Sequence, residues 1–124
     1  MIGNTAVVTG AGSGLGRAIA GRLAEDGWHV AVNDINPDTA ERTAAAIADA
    51  GGSATAAVAD VTDADAITAL ALRLDADRPI GALVFNATGP QPNIAFTDTD
   101  WGDVDDQLAF FARGPLNLTR TVAP

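Results

Sequence analysis

The chain has no cysteine, no tyrosine and no lysine. The first absence excludes a disulfide framework, a thiolate nucleophile and a zinc–thiolate site. The other two remove every tyrosine- or lysine-based proton transfer from these 124 residues. Histidine is nearly absent too, with His29 alone. Positive charge is scarce: seven arginines stand against 16 acids, for a net charge of −9. Such a surface repels nucleic acid and anionic lipid, so neither is an expected partner. No apolar run approaches the roughly 20 residues of a membrane span. No basic stretch precedes an apolar one at the N-terminus, so no signal peptide is expected and the setting implied is the cytoplasm.

What is present is apolar residue, 48% of the chain, in an amount that suits one globular domain. Short β-branched runs alternate with longer alanine-rich stretches. The pattern predicts strands at about 5–9, 29–33, 53–58 and 80–86, and helices at about 14–26, 37–50, 63–75 and 100–122. Each strand leads into a helix, which argues for right-handed βαβ units and a parallel α/β sheet. Asn36-Pro37 offers an N-cap and a proline at the first helical position. Thr62, Asp63 and Asp65 gather at the next helix start. Gly27 and Gly51-Gly52 stop the first two helices. Leu15, Ile19 and Leu23 recur at helical spacing, as do Ile67, Leu70 and Leu74, and are expected to face the core.

The stretch Thr9-Gly10-Ala11-Gly12-Ser13-Gly14-Leu15-Gly16 stands between the first strand and the first helix. Gly10 permits a tight turn, Gly14 lets a phosphate oxygen approach the backbone, and Gly16 lets helix and strand pack closely. The helix start aims free N–H groups and a positive dipole end at the same space, so a diphosphate is the natural occupant. A Walker loop is excluded because Arg17 follows Gly16. Asp34 ends the second strand about 20 residues after the turn, where a carboxylate accepts the hydroxyls of an adenosine ribose. A 2′-phosphate in its place would meet that carboxylate. Two like charges about 4 Å apart cost on the order of 4 kcal/mol at an effective dielectric of 20, so NAD is expected over NADP. No basic residue lies in Asn33-Asp34-Ile35-Asn36 to reverse this.

These residues resemble the short-chain dehydrogenases/reductases. Thr9, Gly10, Gly14 and Gly16 match every fixed position of that family's TGxxxGxG motif, and Asp34 matches its acid. Asp60-Val61 matches the Asp-Val after the third strand. Asn86-Ala87 matches two of the four positions of its Asn-Asn-Ala-Gly run, here Phe85-Asn86-Ala87-Thr88. Leu118 to Pro124 is similar to the later part of its long interface helix. The resemblance implies a Rossmann-like doubly wound parallel sheet in three αβα layers, incomplete here, with strand order 3-2-1-4. It implies NAD as cofactor and a small carbonyl or alcohol as substrate, a 3-oxoacyl thioester among the candidates. The cofactor-binding set is Gly10, Ser13, Gly14, Leu15 (through its N–H), Gly16, Asp34, Ile35, Asp60 and Val61 (adenine), and Asn86 and Ala87 (toward the nicotinamide ribose). A homo-oligomer, dimer or tetramer, is implied for the parent protein.

Two departures stand out. Phe111 falls where the family's long helix carries an asparagine, and the spacing from Trp101 to Gly114 runs longer than the family pattern. The family's serine and Tyr-x-x-x-Lys pair belong to a later strand and helix, and only Ser13 and Ser53 occur here. Residues 1–124 therefore resemble the dinucleotide-binding, N-terminal portion of a longer domain, inactive alone. The strand at 80–86 would then be an apolar edge. His29 is expected at a surface or strand edge, away from chemistry. Asp105-Asp106 and Asp75/Asp77 are expected on solvated faces. A non-enzymatic dinucleotide sensor and a purely structural or interaction fragment remain open on the same fold. A methyltransferase fits less well, because TGxxxGxG occurs with Asn86-Ala87.

Overall fold

The computed structural model describes residues 3–123. Four parallel strands, β1 (Thr5–Val8), β2 (His29–Asp34), β3 (Ser53–Val58) and β4 (Ile80–Val84), form one sheet in the order β3-β2-β1-β4. Three helices connect them: α1 (Gly14–Glu25), α2 (Pro37–Asp49) and α3 (Ala64–Asp77). After β4 come a short 3₁₀ turn at Phe96–Asp98 and a long helical stretch. The fold is the expected α/β three-layer arrangement. In register, Thr5 lies opposite His29 and His29 opposite Ser53, so the amino ends of three strands are level.

The two faces of the sheet are covered separately. Val8, Val30 and Val32 pack under Ala20 and Ala24 of α1 and under Ala40, Ala44 and Ile47 of α2. Val7, Ala31 and Ala57 pack under Ile67, Leu70 and Ala71 of α3 and under Leu118. The expected stripe on α3 is thus in place. On α1 the buried line is Gly16, Ala20 and Ala24, one residue along from Leu15, Ile19 and Leu23. Leu15 is 70% exposed, and Ile19 and Leu23 flank the core half-buried. The helix lies so close to the sheet that only small residues fit between.

The caps explain the helix boundaries. Asn36 Oδ1 accepts from the N–H groups of Asp38 and Thr39. Asp63, rather than Thr62, caps α3 by accepting from the Ala66 N–H at 3.0 Å. Each such cap contributes about 1 kcal/mol. Gly27 and Gly51 follow α1 and α2 in the left-handed region.

The helix expected over 100–122 is divided into α4 (Trp101–Leu108), a π turn (Ala109–Arg113) and α5 (Gly114–Val122). Pro115 supplies the reason. It has no N–H for the carbonyl of Phe111, and its ring would crowd that carbonyl in a regular α-helix. A wider turn relieves both.

His29 corrects an expectation. It is 7% exposed within β2, an interior strand, and not at a surface. Its Nδ1 is 2.6 Å from Ser53 Oγ, and its Nε2 is 3.0 Å from Thr55 Oγ1. Two hydroxyls on the neighbouring strand satisfy the ring, which lets it sit in the sheet.

Candidate functional site

At the carboxyl ends of β1, β2, β3 and β4 the chain leaves the sheet in four segments that surround one cleft of about 540 Å³. This is the crevice in which open parallel α/β sheets take their ligands.

The first wall is the glycine turn. Gly10, Ser13, Gly14 and Leu15 line the cleft. Gly10 has φ +64°, and a Cβ there would stand 2.9 Å from the Cα of Ala87. Gly16 lies behind the wall, where a Cβ would collide with the carbonyl of Gly10 and the carboxamide of Asn86. Nothing approaches Gly14 within 4 Å, so its face is open to a ligand.

The helix start behind this turn differs from those of α2, α3 and α4. Ser13 holds the N-cap position of α1 but makes no side-chain cap bond, and the first turn carries no acid. The starts of α2, α3 and α4 each have a side-chain cap and an acid in the first turn. Free N–H groups and a helix dipole with no acid in the first turn make an anion site.

The second wall is the end of β2. Asp34 and Ile35 line the cleft, and Ile35 is 66% exposed. The Gly12 N–H donates to Asp34 Oδ2 at 2.9 Å, and the Asn36 N–H donates to Oδ1 at 3.0 Å. The carboxylate is held at the rim by two backbone donors.

The third wall is the start of the β3–α3 connection. Ala59, Asp60 and Val61 line the cleft. Asp60 Oδ1 accepts from the N–H of Thr62 at 2.9 Å and from its hydroxyl at 2.7 Å. Val61 turns its apolar side chain into the core beneath α3.

The fourth wall follows β4, which ends at Val84 rather than Asn86 because residues 86–87 bend onto the glycine turn. Thr9 Oγ1 accepts from the N–H groups of Asn86 and Ala87 at 3.0 and 3.1 Å. Asn86 Nδ2 donates to the carbonyls of Thr9 and Gly10, both at 3.1 Å. Asn86 therefore braces the glycine turn as well as lining the cleft.

Ten of the eleven residues expected from the sequence thus line one cleft, and Gly16 supports it from behind. The sequence did not point to Gly12, Asn33, Gly89 or Phe110. Gly12 fills a variable position of the glycine motif, yet it anchors Asp34. Phe110 lies in the π turn and packs against Gly89, where no side chain would fit. Gln107, one turn before it, donates to the Pro90 carbonyl at 3.1 Å. Phe111 is 56% exposed and borders a smaller apolar cavity of about 180 Å³ beside Thr9, Phe85 and Leu118.

Comparison with known proteins agrees with this geometry. The family model described as short chain dehydrogenase matches residues 4–124. The chain belongs to the short chain dehydrogenase family. "Probable oxidoreductase EphD" of Mycobacterium tuberculosis is 40% identical over 119 residues, which are 95% of this chain and 20% of that protein. A metagenomic short-chain oxidoreductase solved in complex with NADP superposes with a TM-score of 0.90 at 30% identity, over 98% of this chain and 55% of that one. The 3-oxoacyl (acyl-carrier-protein) reductase of Agrobacterium tumefaciens, solved with NADP bound, gives a TM-score of 0.88 at 32% identity, over 99% and 47%. This chain spans one-fifth of that curated relative and about half of each solved protein.

A nicotinamide dinucleotide is the cofactor class these relatives support. Among the described residues, no helix is long and apolar enough to cross a membrane.

Proposed function

We propose that these residues form the NAD-binding portion of an oxidoreductase that interconverts a carbonyl and an alcohol. The observation that carries this is the uncapped, acid-free start of α1 facing the cleft across the glycine turn. It suits a diphosphate, whose negative charge would take the place that caps and acids occupy on α2, α3 and α4. Gly10, Gly14 and the N–H of Leu15 would hold the diphosphate, with the Ser13 hydroxyl beside them and Gly16 setting the helix close. Asp34 would accept the adenosine ribose hydroxyls, with Ile35 against the adenine. Asp60 and Val61 would take the edge of that base. Asn86 and Ala87 would border the nicotinamide ribose.

When bound, the cofactor supplies hydride transfer; the chain's part is to bind and orient it. The choice of NAD over NADP rests on Asp34, since the two solved structures described above carry NADP. The substrate we favour is a small carbonyl or secondary alcohol, with a 3-oxoacyl thioester a candidate through the Agrobacterium reductase. Residues 1–124 hold no tyrosine or lysine, so the part proposed for them is to bind and orient the cofactor. A homo-oligomer would cover the apolar line Trp101, Val104, Leu108 and Phe111, all exposed. The proposed setting is the cytoplasm.

Calorimetric titration with NAD and NADP tests this. Saturable binding that prefers NAD, with the preference lost in Asp34→Ala, is the expected result. No heat with either dinucleotide in a folded sample would overturn it.

A further inference from the structure

Asn33 precedes Asp34 in β2 and is 1% exposed, yet it borders the cleft. Its side chain lies on the opposite face of the strand from Asp34, toward β3. There Nδ2 donates to two carbonyls, Ala57 at 2.9 Å and Ala59 at 3.1 Å. Ala57 is inside β3, and Ala59 is the first residue past its end. One amide group therefore grips the chain on both sides of the point where it leaves the sheet. The backbone adds a third tie, from the Ala59 N–H to the Asp34 carbonyl at 3.3 Å. The next two residues are Asp60 and Val61.

Asn33 Oδ1 is buried and has no partner among the described residues. A buried acceptor without a donor costs stability, and an apolar side chain at this place would not incur that cost. What the amide supplies instead is geometry: two fixed carbonyls that set the direction of residues 59–61.

We infer that Asn33 is a positioning residue for base recognition, acting through Ala59 on Asp60 and Val61. The inference rests on the dinucleotide reading above. An ionised Asp60 carboxylate only accepts, and the Val61 N–H only donates. Side by side they match a base edge with an exocyclic amine next to a ring acceptor, which is the adenine pattern. Hypoxanthine presents the reverse, a carbonyl next to a ring N–H. Asn33 makes this distinction sharp by holding the two groups at a fixed spacing, without touching the base.

The test compares NAD with nicotinamide hypoxanthine dinucleotide by calorimetric titration of the full chain. The wild type is expected to prefer NAD by about tenfold, the worth of one hydrogen bond in binding. Asn33→Leu removes both ties, and Asn33→Ser keeps a single small donor. The preference is expected to fall below about twofold in the leucine variant and to an intermediate value in the serine variant. The serine variant alone decides the matter if the leucine chain does not fold. Adding Asn33→Ser to Asp60→Ala should lower the preference no further than Asp60→Ala does alone, because Asn33 acts through that segment. A purely structural role would weaken both dinucleotides equally and leave their ratio unchanged, which would overturn the inference. So would a wild type that binds both equally. A wild type that binds neither would instead refute the dinucleotide site itself.

Discussion

Gly12 and Asp34 lie 22 positions apart and are joined by one hydrogen bond, from the Gly12 N–H to Asp34 Oδ2 at 2.9 Å. A Cβ on Gly12 would strike that carboxylate and the Thr39 hydroxyl. The glycine turn thus aims the acid and walls the cleft in one stroke. Replacing Asp34 with asparagine keeps an acceptor at the rim and removes the charge. Relief of the repulsion toward a 2′-phosphate, reduced by salt, should raise the NADP-to-NAD affinity ratio by about tenfold or more. Parallel titrations at fixed ionic strength check this; an unchanged ratio would mean that Asp34 does not face the ribose.

Gly16 and Gly14 should fail in different ways when each becomes alanine. At Gly16 the new methyl meets the Gly10 carbonyl and the Asn86 carboxamide, neither free to move without shifting α1 off the sheet. Overpacking of this kind costs about 1–3 kcal/mol, and dinucleotide binding should disappear with the displaced turn. At Gly14 the methyl meets nothing, but φ is +53°. The cost there should be about 1–2 kcal/mol from the left-handed backbone alone. Thermal melts beside titrations separate the two.

Much of this site was legible because it depends on short sequence separations. A strand, a glycine turn and a helix start lie within Thr5–Gly16, and Asp34 follows at the distance one βα unit requires. Asp60-Val61 was found through the family resemblance instead. Features set by the approach of distant segments were not legible. The core line of α1 is Gly16, Ala20 and Ala24, because the depth of helix-on-sheet packing, rather than apolar bulk, selects the residue. Phe110 meets Gly89 only after the chain has returned over the sheet. The division of the last helix could have been suspected from Pro115, which stands where a helix interior rejects proline. His29 looked peripheral in sequence because its two hydroxyl partners lie 24 and 26 residues away.

His29 gives the fold a pH dependence. Burial is the main cause that lowers its pKa; Arg78 lowers it further, and Asp77 opposes them. The unfolded chain therefore takes up the proton first as pH falls. The stability contributed by the neutral ring is complete above the ordinary histidine value of 6.5 and declines below it. Urea melts at pH 7.5 and 5.5 should show lower stability at the acid end. Part of that difference should vanish in His29→Gln; an equal difference in both chains would place its origin in the carboxylates.

Thr9 shows how the ends of β1 and β4 are tied at the site. Its hydroxyl oxygen accepts from the N–H groups of Asn86 and Ala87, and the residue is 3% exposed. Valine has nearly the same shape and no acceptor. Thr9→Val would leave two N–H groups unpaired beneath the cleft, and each unsatisfied buried group costs about 1–3 kcal/mol. Asn86 would then lose its backbone anchor while its carboxamide still reached the Thr9 and Gly10 carbonyls. The expected outcome is a clear drop in melting temperature with weaker dinucleotide binding. Thr9→Ser, which keeps the hydroxyl, should recover most of both. If valine keeps the stability and serine loses it, the methyl and its packing, rather than the hydroxyl's two bonds, hold residues 86–87 against the glycine turn.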